Sequence, residues 1–191
     1  MSTEIEQLAD MIRKSQRIVV FTGAGISTES GIPDFRSPGG LWTKYQPIEY
    51  SDFISSEEKR RESWQMKIAT ESVMKEARPN KGHEAVAELY QMGKLSSIIT
   101  QNIDGLHQVS GIPDRKIIEL HGNGTYAKCL DCGKRFELAD IKEQFMKDEI
   151  PPNCHACGGY IKTATISFGQ PMPVAEMEAA ETETLACDLF I

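Results

Sequence analysis

Apolar and polar residues follow two periods along this chain, and they predict alternating helices and strands. Near the N-terminus Ile5, Leu8 and Ile12 recur at helical spacing, and Thr3 and Glu6 stand as in a capping box. Arg17–Phe21 (RIVVF) is short, apolar and β-branched, which predicts a strand. It runs into Gly23-Ala24-Gly25, where small residues let backbone approach a ligand closely. Pro79-Asn80 announce a second helix with His83, Val86, Leu89 and Tyr90 on one side and Gly93 at its end. Leu95–Thr100 (LSSIIT) and Lys116–Leu120 (KIIEL) read as further strands. Leu138, Ile141 and Phe145 mark a short amphipathic helix. Thr163–Phe168 (TATISF) is strand-like, 173–184 is a helix rich in Glu and Ala, and the mostly apolar Leu185–Ile191 reads as a buried central strand. Strands alternating with helices predict an α/β fold with a mainly parallel sheet.

Residues 37–79 break that rhythm. They hold Pro38-Gly39-Gly40, both tryptophans and the charged run SSEEKRRE, and read as a mostly helical insertion. The expected organisation is a Rossmann-like domain in three parts, at 1–36, 80–125 and 166–191. The helical insertion at 37–79 and a small zinc-binding module at 126–165 separate those parts.

Charge and cysteine usage narrow the function classes. The formal net charge of −7 speaks against a broad phosphate-tracking surface, so no direct nucleic-acid binding is expected. An acidic surface suits lysine-rich protein partners. No apolar run approaches the ~20 residues that cross a bilayer. The start, MSTEIEQLAD, is acidic and unlike a secretory or mitochondrial leader, which places the protein in the cytoplasm, away from membranes. Four of the five cysteines form two C-x-x-C pairs, Cys129/Cys132 and Cys154/Cys157, and Gly133 and Gly158 follow them where the chain must turn around a metal. In a reducing compartment that pattern predicts one closed four-thiolate zinc site, structural because it leaves no position for a reacting water. A redox pair and unrelated thiols are the alternatives. His155 reads as a solvated knuckle residue, and Cys187 as a core thiol.

Three polar loops follow three predicted strands. Gly23-x-Gly25 is a partial dinucleotide fingerprint, with Thr28 where a third glycine would stand. Gln101-Asn102-Ile103-Asp104 follows LSSIIT, and His121-Gly122-Asn123 follows KIIEL. Ligands of open parallel sheets bind beyond the carboxyl ends of strands, so the loops are expected to converge. His121 is a candidate general base there. His83 and His107 compete with it and read as packing groups.

The runs GAGISTESGIPDFRSPGGLW (23–42), TQNIDGLH (100–107), ELHGN (119–123) and SFGQPMP (167–173), with the paired cysteines between them, resemble the sirtuin signature from about Arg17 to Ile191. That resemblance implies NAD-dependent removal of acyl groups from protein lysines, with release of nicotinamide and O-acyl-ADP-ribose. It implies NAD and one structural zinc as cofactors, and acyl-lysine proteins or peptides as partners. By position, Gly23, Ala24 and Gly25 would line the pyrophosphate. Asp34, Phe35 and Arg36 would form the cofactor-binding loop. Gln101 and Asn102 would contact the ribose and its ordered water, and Ile103 and Asp104 the nicotinamide carboxamide. His121 would be the catalytic base, with Asn102 beside it. Ile166, Phe168 and Gly169 would line the substrate, the first two pairing with its backbone as an added strand. Thr163 stands where many sirtuins have Pro, and Gln170 where they have an acid, which unsettles peptide preference only. Trp64-Gln65-Met66-Lys67 lacks the Tyr and Arg that hold acidic acyl groups in some sirtuins, so no strong succinyl-lysine preference is expected. Mono-ADP-ribosyl transfer and noncatalytic NAD binding are the rivals. The family continues past the strand at Leu185–Ile191 into the half of the sheet that holds adenosine. The natural protein is therefore expected to be longer, and a chain ending at Ile191 to act poorly.

Overall fold

In the computed structural model, which describes residues 3–34, 40 and 46–191, the larger sheet is parallel. Its order is β3-β2-β1-β7, where β1 is Ile18–Thr22, β2 Leu95–Thr100, β3 Ile117–Glu119 and β7 Leu189–Phe190. Strands this rich in β-branched and aliphatic residues need apolar cover on both faces, and they have it. Along β1 the side chains alternate. Ile18 and Val20 join Val86, Ala87, Leu95, Ile98 and Ile112 on the face covered by α4 (Lys81–Gln91). Val19 points the other way, with Ile99 and with Ala180 of α7 (Val174–Ala186). Helix α4 starts at Asn80, whose side chain accepts from Gly82 N at 2.8 Å, while His83 Nδ1 accepts from Asn80 N at 3.4 Å. This is a capping box with histidine in the usual Glu or Gln position.

A second, antiparallel sheet runs β5-β4-β6: β4 is Gly122–Cys129, β5 Arg135–Glu137 and β6 Ile161–Thr165. The amphipathic α6 (Leu138–Asp148) covers it with Ile141 and Phe145. Trp64 completes that core from α3 (Glu57–Glu76), which follows α2 (Tyr50–Ser55). Arg60 of α3 is buried, donates to the carbonyls of Phe53 and Ile54 at 3.0 Å each, and stacks on the Tyr160 ring at 3.8 Å. Its guanidinium thus ties α2, α3 and the small sheet together. No helix of the described residues is long and apolar enough to cross a membrane.

Several local expectations change. The loop after β1 is a 3-10 helix, Ala24–Ser30. The strand expected at Thr163–Phe168 lies earlier, at Ile161–Thr165, where it pairs with β4. The strand expected over Leu185–Ile191 shrinks to β7, because α7 continues through Ala186 and leaves Leu185 80% exposed. Asp188 sets that boundary by accepting from Gln16 N and Arg17 N at 2.8 and 2.9 Å. Helix α1 (Thr3–Lys14) buries none of its residues fully; Ile12 packs partly on the core while Ile5 and Leu8 are exposed. Cys187 is half-buried, packed beside Val19 and Ile99.

Candidate functional site

The carboxyl ends of β1, β2 and β3 bring the three polar loops together. Beneath them lies a buried chain of hydrogen bonds. Thr22 Oγ1 donates to Thr100 Oγ1 at 2.8 Å, and Thr100 Oγ1 accepts from Asn102 N at 3.0 Å. Asn102 Nδ2 donates to Gly23 O at 3.0 Å and to Ser27 Oγ at 3.2 Å. Ser27 Oγ in turn donates to Asp104 Oδ2 at 2.7 Å, and Asp104 Oδ1 accepts from Leu106 N at 2.9 Å. Both Asn102 hydrogens are thereby used on the glycine loop, and its amide oxygen is the atom left to meet a ligand. Asp104 is buried within this network and does not line the open cavity.

His121 sits at the mouth, partly exposed. Its Nδ1 lies 3.0 Å from Gln101 O. A carbonyl accepts only, so Nδ1 carries the proton and Nε2 presents a lone pair. That tautomer is the one a general base needs. Gly122 follows with φ 71°, and a Cβ there would lie 2.1 Å from Ala164 O. Only glycine lets β6 lie this close, and the close approach brings Ile166 N to His121 O at 2.8 Å. The loop after β6 and the histidine loop are thus joined directly.

His83 and His107 are a different case. They are buried at 0% and 2% exposure with ring centroids 5.1 Å apart, and neither lines the cavity. Burial first, and His83 second, hold the His107 imidazole down to about 4, so it stays neutral at working pH. Its Nε2 shares a hydrogen bond with Thr22 Oγ1 at 2.9 Å, which makes it a prop under the loops.

A cavity of about 740 Å³ opens at this junction, a size that suits a dinucleotide fragment with a side chain beside it. Ala24, Asp34, Gln101, Asn102, Ile103 and His121 line it, and so do Ile166, Phe168 and Gly169. Gly23 lies beneath, bound to Asn102, and Gly25 accepts from Thr28 Oγ1 at 2.9 Å. Phe35 and Arg36 lie outside the described residues. In the loop after β6 two backbone groups are already engaged, Ile166 N with His121 O and Phe168 O with Tyr50 N, at 2.8 Å each. Ser27 and the Thr22–Thr100 pair escaped the sequence reading, because a hydroxyl in a loop or at a strand end carries no periodic signal. Lys67 and Lys162 also line the cavity.

The four cysteines meet at the far end of β4. Their sulfurs lie within 4.8 Å of one another, with Cys129–Cys157 at 3.4 Å and Cys132–Cys154 at 3.7 Å. Four thiolates about 2.3 Å from a tetrahedral zinc would stand about 3.8 Å apart, so the set fits zinc. Gly133 and Gly158 adopt φ 71° and 81° and donate N–H to Cys129 O and Cys154 O, which closes both knuckles. His155 is exposed and turned to Lys134 Nζ at 2.6 Å, outside the ligand set.

Residues 23–191 match the Sir2 family. The NAD-dependent protein deacetylase of Rhodopseudomonas palustris is 53% identical over 191 residues, which are 100% of this chain and 76% of that protein. A solved Sir2 complex with p53 peptide and NAD+ has 31% identity and a TM-score of 0.82, covering 100% of this chain and 74% of the other. Another, with deacetylated p53 peptide and 3'-O-acetyl-ADP-ribose, has 32% identity and a TM-score of 0.82, covering 97% and 74%. With the cavity, the loops and the cysteine tetrad already in place, these likenesses identify the chain as a member of the Sir2 family.

Proposed function

We propose that this protein removes acyl groups from lysine side chains of proteins, consuming NAD and yielding nicotinamide and O-acyl-ADP-ribose. NAD, when bound, supplies a ribose carbon with a departing nicotinamide and hydroxyls that receive the acyl group. The chain's own residues bind, orient and move a proton. The 3-10 helix after Gly23 offers backbone N–H groups toward the pyrophosphate. Gln101 and Asn102 face the ribose, Ile103 gives an apolar wall, and Asp104, held by Ser27 and Leu106, orders the nicotinamide side. Asp34, which lines the cavity, contacts the cofactor, as do Phe35 and Arg36, which follow it in the sequence. His121 Nε2 takes the proton of a ribose hydroxyl. Ile166, Phe168 and Gly169 guide the peptide. Zinc, held by Cys129, Cys132, Cys154 and Cys157, fixes the end of β4 and takes no part in the reaction.

The observation that carries this reading is the His121 tautomer, fixed by Gln101 O at the mouth of the cavity. His121→Ala in the full-length protein is expected to suppress deacylation of an acetyl-lysine peptide by roughly 10²–10⁴-fold while NAD binding survives. Near-normal turnover in that variant would remove His121 from the mechanism. Accumulation of ADP-ribosylated protein in place of free lysine would replace deacylation with ADP-ribosyl transfer.

A further inference from the structure

Arg60 is a buried cation that the deacylation chemistry does not use. It is 8% exposed, yet among the described residues no carboxylate lies within ion-pair distance of it. A charge removed from water is ordinarily paired. Here two carbonyls and a ring stand in for the anion. Nη1 donates to Phe53 O and Ile54 O, and the guanidinium carbon lies 3.8 Å from the centre of the Tyr160 ring.

Those carbonyls belong to the last turn of α2, where helical carbonyls lack partners of their own and a cation is favoured. Helix α2 has six residues, too few to hold itself in water, so its place depends on such anchors. Its other end reaches the cavity. Tyr50 is its first residue, and the N–H there, which has no acceptor within the helix, donates to Phe168 O. Glu49 packs on Gly169: a Cβ on that glycine would lie 3.0 Å from Glu49 Oε2. Pro47 and Ile48 line the cavity together with Phe168 and Gly169.

The Tyr160 ring is anchored by the cysteine module. Tyr160 O accepts from Leu130 N at 2.9 Å, and Leu130 lies between Cys129 and Cys132. Tyr160 also pairs with Asn153, the neighbour of Cys154. A continuous line of contacts thus runs from the two knuckles through Tyr160, Arg60 and α2 to the Phe168 carbonyl.

We propose that Arg60 is a positioning residue for the peptide substrate: by clamping the last turn of α2 on the Tyr160 ring, it fixes Tyr50 N–H and, through it, the backbone at Phe168 where the peptide binds. This rests on the deacylase reading above, in which Phe168 guides the peptide, and deepens it. Arg60 touches neither peptide nor NAD, and its effect falls on peptide affinity rather than on the chemical step. Such a line is established by coupling, not by adjacency, so the test cuts it at two points.

The test uses the full-length protein, NAD and an acetyl-lysine peptide, with peptide binding titrated in parallel. Arg60→Met keeps an apolar stem and removes the donors. It is expected to raise the peptide KM and Kd by about tenfold or more, while the KM for NAD and kcat at saturating peptide change by less than about threefold and zinc content stays that of the wild type. Arg60→Lys recovers part of the loss, because an ammonium still donates to the two carbonyls but presents no plane to the ring. Tyr50→Pro cuts the other end. Proline is tolerated at the first helical position, and Glu49 already has the extended backbone, φ −65° and ψ 150°, that precedes a proline. Its peptide KM is expected about tenfold or more above that of Tyr50→Ala, which loses the same side chain and keeps the N–H. Combined with Arg60→Met it adds little further loss, as two cuts in one line do. A wild-type peptide KM in Arg60→Met overturns the inference. So does a loss of NAD affinity equal to the loss of peptide affinity, which is what general loosening gives. Should Arg60→Met not fold, equal peptide KM in Tyr50→Pro and Tyr50→Ala overturns it alone. In each of these cases turnover by the wild type leaves the deacylase reading standing; a wild type that turns over no acyl peptide sinks both.

Discussion

The two sheets of this protein are held together differently. The parallel sheet is packed on both faces: Ile18, Val20 and Ile98 under α4, Val19 and Ile99 under α7. Its order needs no ligand. The antiparallel sheet has three strands, one of only three residues, and one apolar face built on Trp64, Ile141, Phe145 and Ile161. Buried in that same cluster are Cys129 and Cys154, so its core is completed by a metal site. Two strands carry the difference into the cavity. β4 starts directly after His121 and ends at Cys129; β6 ends directly before Ile166. The mouth of the cavity thus belongs half to a sheet stabilised by apolar burial and half to one completed by a metal site.

The largest effect expected is therefore from removing the metal. Cys132→Ala, or exhaustive chelation, should release zinc and abolish detectable deacylation, because structural zinc binding is coupled to folding. Hydrogen exchange should show β4, β5 and β6 losing protection while β1 and β2 keep theirs. Simultaneous loss in both sheets would break the comparison.

Gly122→Ala strikes the seam itself. A Cβ that would meet Ala164 O at 2.1 Å, on a residue with φ 71°, forces β4 and β6 apart. We expect a loss of roughly 2 kcal/mol or more in urea unfolding, and a larger fractional loss of turnover than of NAD affinity. Wild-type stability in this variant would mean the strands are not in register as described.

Acid acts on the parallel side. The folded His107 imidazole is held down to about 4 against an ordinary value of 6.5. Between those values the unfolded chain takes up a proton that the folded one refuses. The stability is whole above pH 6.5, falls as pH drops toward 4 and levels below. The shift is worth at most about 3 kcal/mol, and His83, lowered in the same direction, adds to it. His107→Gln should flatten that slope in unfolding measured from pH 7 to 4; an unchanged slope would assign the acid sensitivity elsewhere. The smallest effect is at the start of α4, where Asn80→Ala should cost about 1 kcal/mol and leave the small sheet's zinc content untouched.

What could be read in the sequence divides along the same seam. The cysteine spacing, the convergence of the loops after LSSIIT and KIIEL, and the place of His121 at their cavity were legible because each combines a residue type with a fixed place relative to a strand end. Contacts made across the fold were not. Ser27 is one loop hydroxyl among several until Asn102 and Asp104 close on it. Lys67 and Lys162 line one cavity only because α3 and β6 both face it. The apolar run at Leu185–Ile191 misled because composition does not show where α7 ends; the bonds from Gln16 and Arg17 to Asp188 decide it.

The most direct test of the account is a product balance. Full-length protein, NAD and an acyl-lysine peptide are incubated, and nicotinamide, free-lysine peptide and O-acyl-ADP-ribose are quantified by mass spectrometry. Equal molar amounts of all three are expected, with their loss together in His121→Ala. Nicotinamide released without free lysine, or free lysine formed without NAD, would contradict it.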